Sequence, residues 1–381
     1  MPPVKHAMLG GSNSKQWLSC TPSVYWEQSF PEKGSSEAAE EGTLAHAIAE
    51  EHLTQLKFGS RVMTPTKYRK HELYKPSMEE YIDVYTDYVV NLYEEAKKRT
   101  PDALLLLEEP VDYSNYAPEG HGTSDVVLIA DGTMHIVDLK YGKGVPVDAV
   151  GNPQLRLYAL GALNSFLPLY DIHTVTMHIV QPRLDSITSD SMAVEELTRW
   201  GEEYVKPRAH LAWMGAGEYV AGDHCRWCRC KPRCSAYHKR MLEIGELDDR
   251  MPGELTDEEL GKVLERADEI ASWAKNVKEW AQEQALDGHS FPGWKLVAGR
   301  ANRVLTDQQS ALETLTDAGY PLDKITKLVS LTDLEALVGK KKLSELLGDI
   351  IVKPAGKPTL AKITDKRPAI NAGSDMFTPI D

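Results

Sequence analysis

The sequence holds no apolar run long enough to cross a membrane. Its longest, Ala103 to Leu107, falls far short of the roughly 18 residues such a span needs. The first twenty residues, MPPVKHAMLGGSNSKQWLSC, lack the apolar core of a signal peptide. The expectation is a soluble cytoplasmic protein with no membrane partner. An excess of positive charge is also missing. Lysine and arginine number 43 against 57 aspartates and glutamates, a net charge of −14. Nucleic-acid binding over the whole surface is thereby excluded, and any such contact must come from a local patch. Cysteine is scarce: there are five, an odd count that argues against a disulfide framework.

What is present reads as a globular chain. Its 381 residues are 42% hydrophobic and 26% charged, which excludes a largely disordered protein and allows two to three domains with a buried core. Thr43 is a plausible N-cap for a helix over LAHAIAEEHL, with His46 in its first turn. A second helix spans residues 77–100 and stops at Pro101. ALLLLEEPVDY is then a short strand. SDVVLIA and TMHIVDLK flank Asp131-Gly132, the signature of a two-residue hairpin. Val127, Ile129 and Ile136 mark one apolar face, and Val126, Leu128, Val137 and Leu139 the other, so these are central strands covered on both sides. Asn152-Pro153 starts another helix. Residues 171–184 alternate like a strand, and a helix over 195–214 leads to a cysteine cluster. The order is that of an α/β core with a central mixed sheet flanked by helices.

The hairpin carries the chemistry. With a two-residue loop, Ala130 pairs with Thr133, which sets Asp125 opposite Asp138 with Cβ atoms about 4.5–5.5 Å apart. A bulged turn would slip this register by one. Two ionised carboxylates so placed repel unless a cation lies between them, and oxygen donors suit Mg²⁺ or Mn²⁺. Lys140 shares the face of Asp138. Two carboxylates and an ammonium are equipment for hydrolysing phosphodiesters. The bland alternative is a buried Asp–Lys ion pair and an unrelated turn aspartate. Gln154 and Tyr158, four apart, share one helical face.

His46 upstream, Gly122-Thr-Ser-Asp125, Asp138-Leu139-Lys140 and Gln154-Leu-Arg-Leu-Tyr158 together resemble the PD-(D/E)XK nuclease superfamily, nearest its RecB-like exonucleases. The resemblance implies a restriction-endonuclease-like core. In it His46, Asp125 and Asp138 hold the metal, assisted by the Leu139 carbonyl. Lys140 serves the attacking water, and Gln154 and Tyr158 position DNA or the site.

Cys225, Cys228 and Cys234 follow the spacing C-x2-C-x5-C, with Cys230 between and Cys20 about 200 residues upstream. Thiols so close in a cytosolic chain point to metal, zinc being the default. One cysteine before the core and three after it is similar to the AddB-like iron–sulfur nuclease branch. That likeness implies Cys20, Cys225, Cys228 and Cys234 as ligands of a structural [4Fe–4S] cluster, with Cys230 spare. Zinc is the alternative. The same segment is the one basic patch: Arg226, Arg229, Lys231 and Arg233 surround Trp227, a composition suited to phosphate contact and base stacking.

Residues 1–240 thus read as a nuclease core, 241–352 as a mainly helical C-terminal region and 353–381 as a flexible tail. Residues 241–270 hold eleven acidic and three basic residues, a net −8. Trp294, Lys295, Arg300 and Arg303 form a second, weaker DNA-contact candidate. The resemblance implies a metal-dependent DNA exonuclease of phage-type replication or recombination, working in the host cytoplasm, with a single-strand annealing or binding protein as a plausible partner. The alternative is a non-catalytic or zinc-containing DNA-binding adaptor.

Overall fold

Strands between residues 104 and 193 pair into one five-stranded sheet whose spatial order is the chain order: β1 (Leu104–Asp112), β2 (His121–Ala130), β3 (Gly132–Leu139), β4 (Ile172–Gln181) and β5 (Ser186–Ala193). The computed structural model describes residues 7–31, 34–242, 257–294 and 330–347, with isolated positions between 309 and 351. Neighbouring strands are antiparallel except β3 and β4, which run parallel. A parallel pair needs a crossover, and α6 (Pro153–Phe166) lies in that connection.

The hairpin register is the one the sequence predicts: Ala130 faces Thr133 and Val126 faces Val137. Gly132 takes φ +73°, a conformation that favours glycine and so explains the Asp-Gly turn. The ladder ends at Val126–Val137, one position short of Asp125 and Asp138.

Helices cover both faces of the sheet. Val127, Ile129, Met134, Ile136, Met177 and Ile179 join Leu155, Ala159 and Leu163 of α6 in one core. Val126, Leu128, Val137 and Leu139 join Leu44 and Ile48 of α3 (Glu37–Lys57) and Ile82 and Val89 of α5 (Ser77–Arg99) in a second. Each such side chain stabilises by about 1.5–3 kcal/mol when fully buried, which is why these strands are apolar on both faces.

Two expectations need correction, and one strand was not expected. First, α3 begins at Glu37, not after Thr43. Ser36 caps it by accepting the Ala39 N–H at 3.2 Å, and Glu37 and Glu40 complement the helix dipole in the first turn. Thr43 instead lies inside the helix, donating to the Ala39 carbonyl at 3.1 Å. His46 therefore sits in the third turn. Second, SITSDSMA forms the edge strand β5. Its alternate residues are exposed, so it lacks the apolar signature of a central strand. Third, the helix over 195–214 is α7 (Val194–Trp200) and α8 (Lys206–Trp213), joined by a π-turn at Gly201–Val205.

The N-terminal helices α1 (Ser14–Ser19) and α2 (Ser23–Glu27) pack near α8. Arg208 donates to the Leu18 carbonyl at 2.8 Å and Thr21 to the Ala216 carbonyl at 2.7 Å. A short helix, α4 (Thr66–Arg69), precedes α5, and α9 (Ser235–Leu242) follows the cysteines. Beyond them lie α10 (Asp257–Leu286), α11 (Leu331–Val338) and α12 (Lys340–Leu347). The chain divides into two compact units, Met1–Arg240 with Gly299–Lys340, and Met241–Ala298 with Lys341–Asp381. Residues 353–381, Lys295, Arg300, Arg303 and part of the acidic stretch 241–270 lie outside the described residues. No helix among the described residues is long and apolar enough to cross a membrane.

A polar chain runs through the second core. The Tyr88 hydroxyl lies 2.9 Å from His178 Nδ1, and His178 Nε2 lies 3.1 Å from His135 Nδ1. Tyr88 donating to His178 and His178 donating to His135 satisfies the chain with both imidazoles neutral. Burial, helped by the charge of Arg99 on His135 and by His135 on His178, pushes each ring down to about 4. Unfolded histidines titrate near 6.5, so between those values the unfolded chain binds protons that the native chain refuses. The pair's contribution is complete above about pH 6.5 and is lost as pH falls toward 4. Urea denaturation between pH 8 and 4.5 should show a loss on the order of 2–4 kcal/mol from this pair. The double variant His135→Gln/His178→Gln should flatten that slope, and an unchanged slope would contradict the assignment.

Candidate metal centre and cysteine pocket

Three chain segments bring ligand atoms together at the open end of the hairpin. His46 comes from α3, Glu108 from β1 and Asp125 from β2, with one ligand atom of each within 4.8 Å of the other two. Helix α3 is pinned over the sheet at both ends. Arg183, after β4, reaches Glu41 at 2.7 Å, and Lys57 donates to the Leu105 carbonyl at 2.7 Å. His46 Nδ1 lies 3.2 Å from Asp125 Oδ1, while Asp125 Oδ2 accepts the Leu139 N–H at 2.7 Å. Burial lowers the affinity of His46 for a proton, but the Asp125 carboxylate outweighs it and lifts the imidazole to about 9.

Glu108 was not foreseen. The β1–β2 pairs Leu107–Val126 and Glu109–Ser124 flank it, which sets it level with Asp125. Its φ is +48°, a left-handed conformation that costs a non-glycine residue about 1–2 kcal/mol. Burial, reinforced by Asp125, pushes its carboxyl up to about 7. A strained, destabilised carboxylate facing another is the signature of a site built for a cation. The sequence held one clue, two glutamates breaking a run of four leucines. His46, Glu108, Asp125, Leu139 and Tyr85 line a small pocket of about 10 Å³, on the scale of one water molecule.

On the other side of the hairpin end, the remaining predicted residues form a continuous chain. Asn152 caps α6 by accepting the backbone N–H groups of Gln154 and Leu155, which fixes where Gln154 stands on the helix; the Gln154 side chain is then held by its own bonds. Its Nε2 donates to Asp138 Oδ1 at 3.1 Å and its Oε1 accepts from Lys140 Nζ at 3.0 Å. Lys140 Nζ also lies 2.9 Å from Asp138 Oδ2, and the Tyr158 hydroxyl 3.4 Å from Gln154 Nε2. Asp138 is 4% exposed. Burial works against a charge on Lys140, but Asp138 and then Asp125 outweigh it and hold the ammonium protonated. The structure thus groups Glu108, rather than Asp138, with His46 and Asp125. Asp138 is engaged by Lys140 and Gln154, and Leu139 contributes its N–H.

The glycine three residues before Asp125 has a packing reason. A Cβ on Gly122 would lie 2.7 Å from the Tyr158 ring, and one on Gly11 2.5 Å from it. The two glycines leave the space that the ring occupies beside Gln154.

All five cysteines line one pocket with Gln16, Trp26 and Tyr219. Each is a free thiol. Cys20 is brought there by α1 and α2: Glu27 accepts the Arg229 N–H at 2.6 Å, and Trp26 meets Tyr219 edge-on at 5.4 Å. Burial raises Cys20 and lifts Cys225 to about 11. A hydrogen bond with Cys230, then burial, raises Cys228 further. Such thiols ionise only against a positive charge, which a metal supplies. Tetrahedral zinc at about 2.3 Å per bond requires sulfurs about 3.8 Å apart. Among the described residues the ligand trio within 4.8 Å is His46, Glu108 and Asp125, so no three cysteine sulfurs come that close.

The basic segment divides. Trp227 is 74% exposed, with the Arg226 guanidinium 5.4 Å from its ring centre. Arg233 is also exposed. Arg229, in contrast, packs on Glu27, and Lys231 donates to the Arg226 carbonyl at 2.7 Å. These two are engaged within the protein, while Arg226 and Trp227 stand exposed together.

A family model described as "Protein of unknown function (DUF2800)" matches residues 6–368. A crystal structure of the protein SSO0001 is similar at 13% identity over 59% of this chain and 96% of that one, with a TM-score of 0.21, too low to carry an argument.

The Tyr158 seat generates a prediction. Gly122→Ala should destabilise the protein by about 1–3 kcal/mol through overpacking. Gly122→Ala/Tyr158→Ala should cost less than the two single variants summed. Thermal melts check this, and additive losses would show that the glycine does not act through the ring.

Proposed function

The chain belongs to the DUF2800 family, and we propose that it is a metal-dependent deoxyribonuclease with a PD-(D/E)XK core, acting on DNA ends. The observation that carries this reading is the convergence of His46, Glu108 and Asp125 beside the Asp138–Lys140–Gln154 chain. An imidazole with two carboxylates suits Mn²⁺ or Mg²⁺, and the lined pocket and crowded negative charge fit such an ion. When bound, that ion supplies Lewis-acid polarisation of a phosphate and a water of lowered pKa. The protein's own groups do the rest. Asp138 and Gln154 hold the Lys140 ammonium at a fixed place, where it orients the attacking water and balances charge growing on the phosphate. Tyr158, seated by its glycines, buttresses Gln154. Arg226 and Trp227 suit a phosphate contact and a stacked base.

The five cysteines share one pocket, and in this reading Cys20, Cys225, Cys228 and Cys234 hold a [4Fe–4S] cluster there, with zinc as the alternative. Its role in this reading is to clasp the first helices to the segment after α8. The phage-type recombination setting and a single-strand annealing or binding partner belong to the same reading.

Two experiments test it. Purified protein with Mn²⁺ should shorten end-labelled linear DNA, and Asp125→Asn and Asp138→Asn should each lower the rate by about 100-fold or more with the circular dichroism spectrum unchanged. Variants as active as wild type would overturn the assignment. Anaerobically purified protein should be brown with about four irons and four sulfides per chain. A colourless protein with one zinc and no cleavage would favour a DNA-binding adaptor.

A further inference from the structure

The metal pocket has a wall that the mechanism above does not use. Tyr85, on α5, lines it together with His46, Glu108, Asp125 and Leu139. The residue is 1% exposed and packs in the core beneath the sheet. Its hydroxyl is buried and makes no hydrogen bond within the protein. A buried hydroxyl without a partner loses its hydration for nothing in return, and native cores seldom keep one. The hydroxyl of buried Tyr113, in contrast, donates to the Leu9 carbonyl at 3.2 Å, and that of half-buried Tyr88 bonds His178. Phenylalanine would fill the Tyr85 site equally well. The orphan hydroxyl therefore points to a partner that is not a protein atom, in a pocket that His46, Glu108 and Asp125 line together with apolar Ala49, Leu53 and Leu139.

A neutral phenol is a poor ligand for Mg²⁺ or Mn²⁺ beside two carboxylates and an imidazole, but it is a good hydrogen-bond donor. Oxygen held by the cation is the acceptor that this position lacks. We propose that Tyr85 is a positioning residue of the centre, its hydroxyl donating a hydrogen bond to the oxygen of a water or hydroxide on a divalent cation at His46, Glu108 and Asp125. The inference rests on the metal-centre reading and not on DNA being the substrate. A donated hydrogen bond favours the more negative form of its acceptor, so Tyr85 strengthens ion binding and lowers the pH at which the bound water ionises.

The test is Tyr85→Phe in the full chain, with Mn²⁺ as the probe. Free Mn²⁺ is followed by electron paramagnetic resonance, and cleavage of linear DNA is followed against pH. Without metal, the variant should melt at or above the wild-type temperature, because it discards an unsatisfied hydroxyl. It should bind Mn²⁺ roughly tenfold more weakly, and its cleavage profile should move to higher pH. A purely structural tyrosine would lower the melting temperature and leave Mn²⁺ affinity and pH profile where they were, and that result overturns the proposal. Wild-type protein that does not take up Mn²⁺ overturns it together with the metal centre. Protein that binds Mn²⁺ without cutting DNA removes the nuclease reading alone, and the affinity comparison then still decides on Tyr85.

Discussion

Three carboxylates, Glu108 and Asp125 midway along β1 and β2 and Asp138 near the end of β3, lie where the β2–β3 ladder stops, and the surrounding structure is arranged around their repulsion. Two cationic groups reach them from opposite layers. His46 comes from α3 on one side, and Lys140, steadied by Gln154 of α6, lies on the other. The sheet ladder stops one pair before Asp125 and Asp138, and the freed Leu139 N–H goes to the Asp125 carboxylate instead. A fold optimised only for stability would place apolar residues here. Buried charge, a left-handed glutamate and an unpartnered tyrosine meet at this one place, each at a cost in stability that the protein alone does not offset.

The helices matter because they fix distances that this charge balance requires. Capping by Ser36 and Asn152 sets where α3 and α6 begin, and so where His46 and Gln154 stand along them. Arg183 and Lys57 fasten α3 at its two ends. Far along the chain, the cysteine pocket gathers α1, α2 and the loop after α8 with the same logic. The Arg229–Glu27 contact closes a 200-residue circuit, and burial holds the Cys20 and Cys225 thiols in their neutral form.

Much of this was legible in the sequence because it depended on local rules. Asp131-Gly132 dictated the hairpin register, and apolar residues on both faces of 124–139 dictated a covered sheet. Pro153 after Asn152 marked the start of α6. What was hidden depended on pairing between distant segments. Glu108 meets Asp125 only through the β1–β2 register, which no turn residue announces. The Tyr85 pocket needs α5 to lie against that same end of the sheet. β5 was hidden by its polar edge, and the start of α3 by two hydroxyl residues seven apart, Ser36 and Thr43, that both resemble caps while one of them bonds back into the helix. The basic segment shows the reverse case: its composition suggested five contacts, but Arg229 is engaged by Glu27 and Lys231 by the Arg226 carbonyl.

The central claim is that one divalent cation belongs between His46, Glu108 and Asp125. An anomalous difference map from a crystal soaked in Mn²⁺ tests it most directly. The account predicts a peak within bonding distance of all three side chains, with Lys140 still on Asp138. A peak held by Asp138 without Glu108, or density elsewhere and none here, would contradict it.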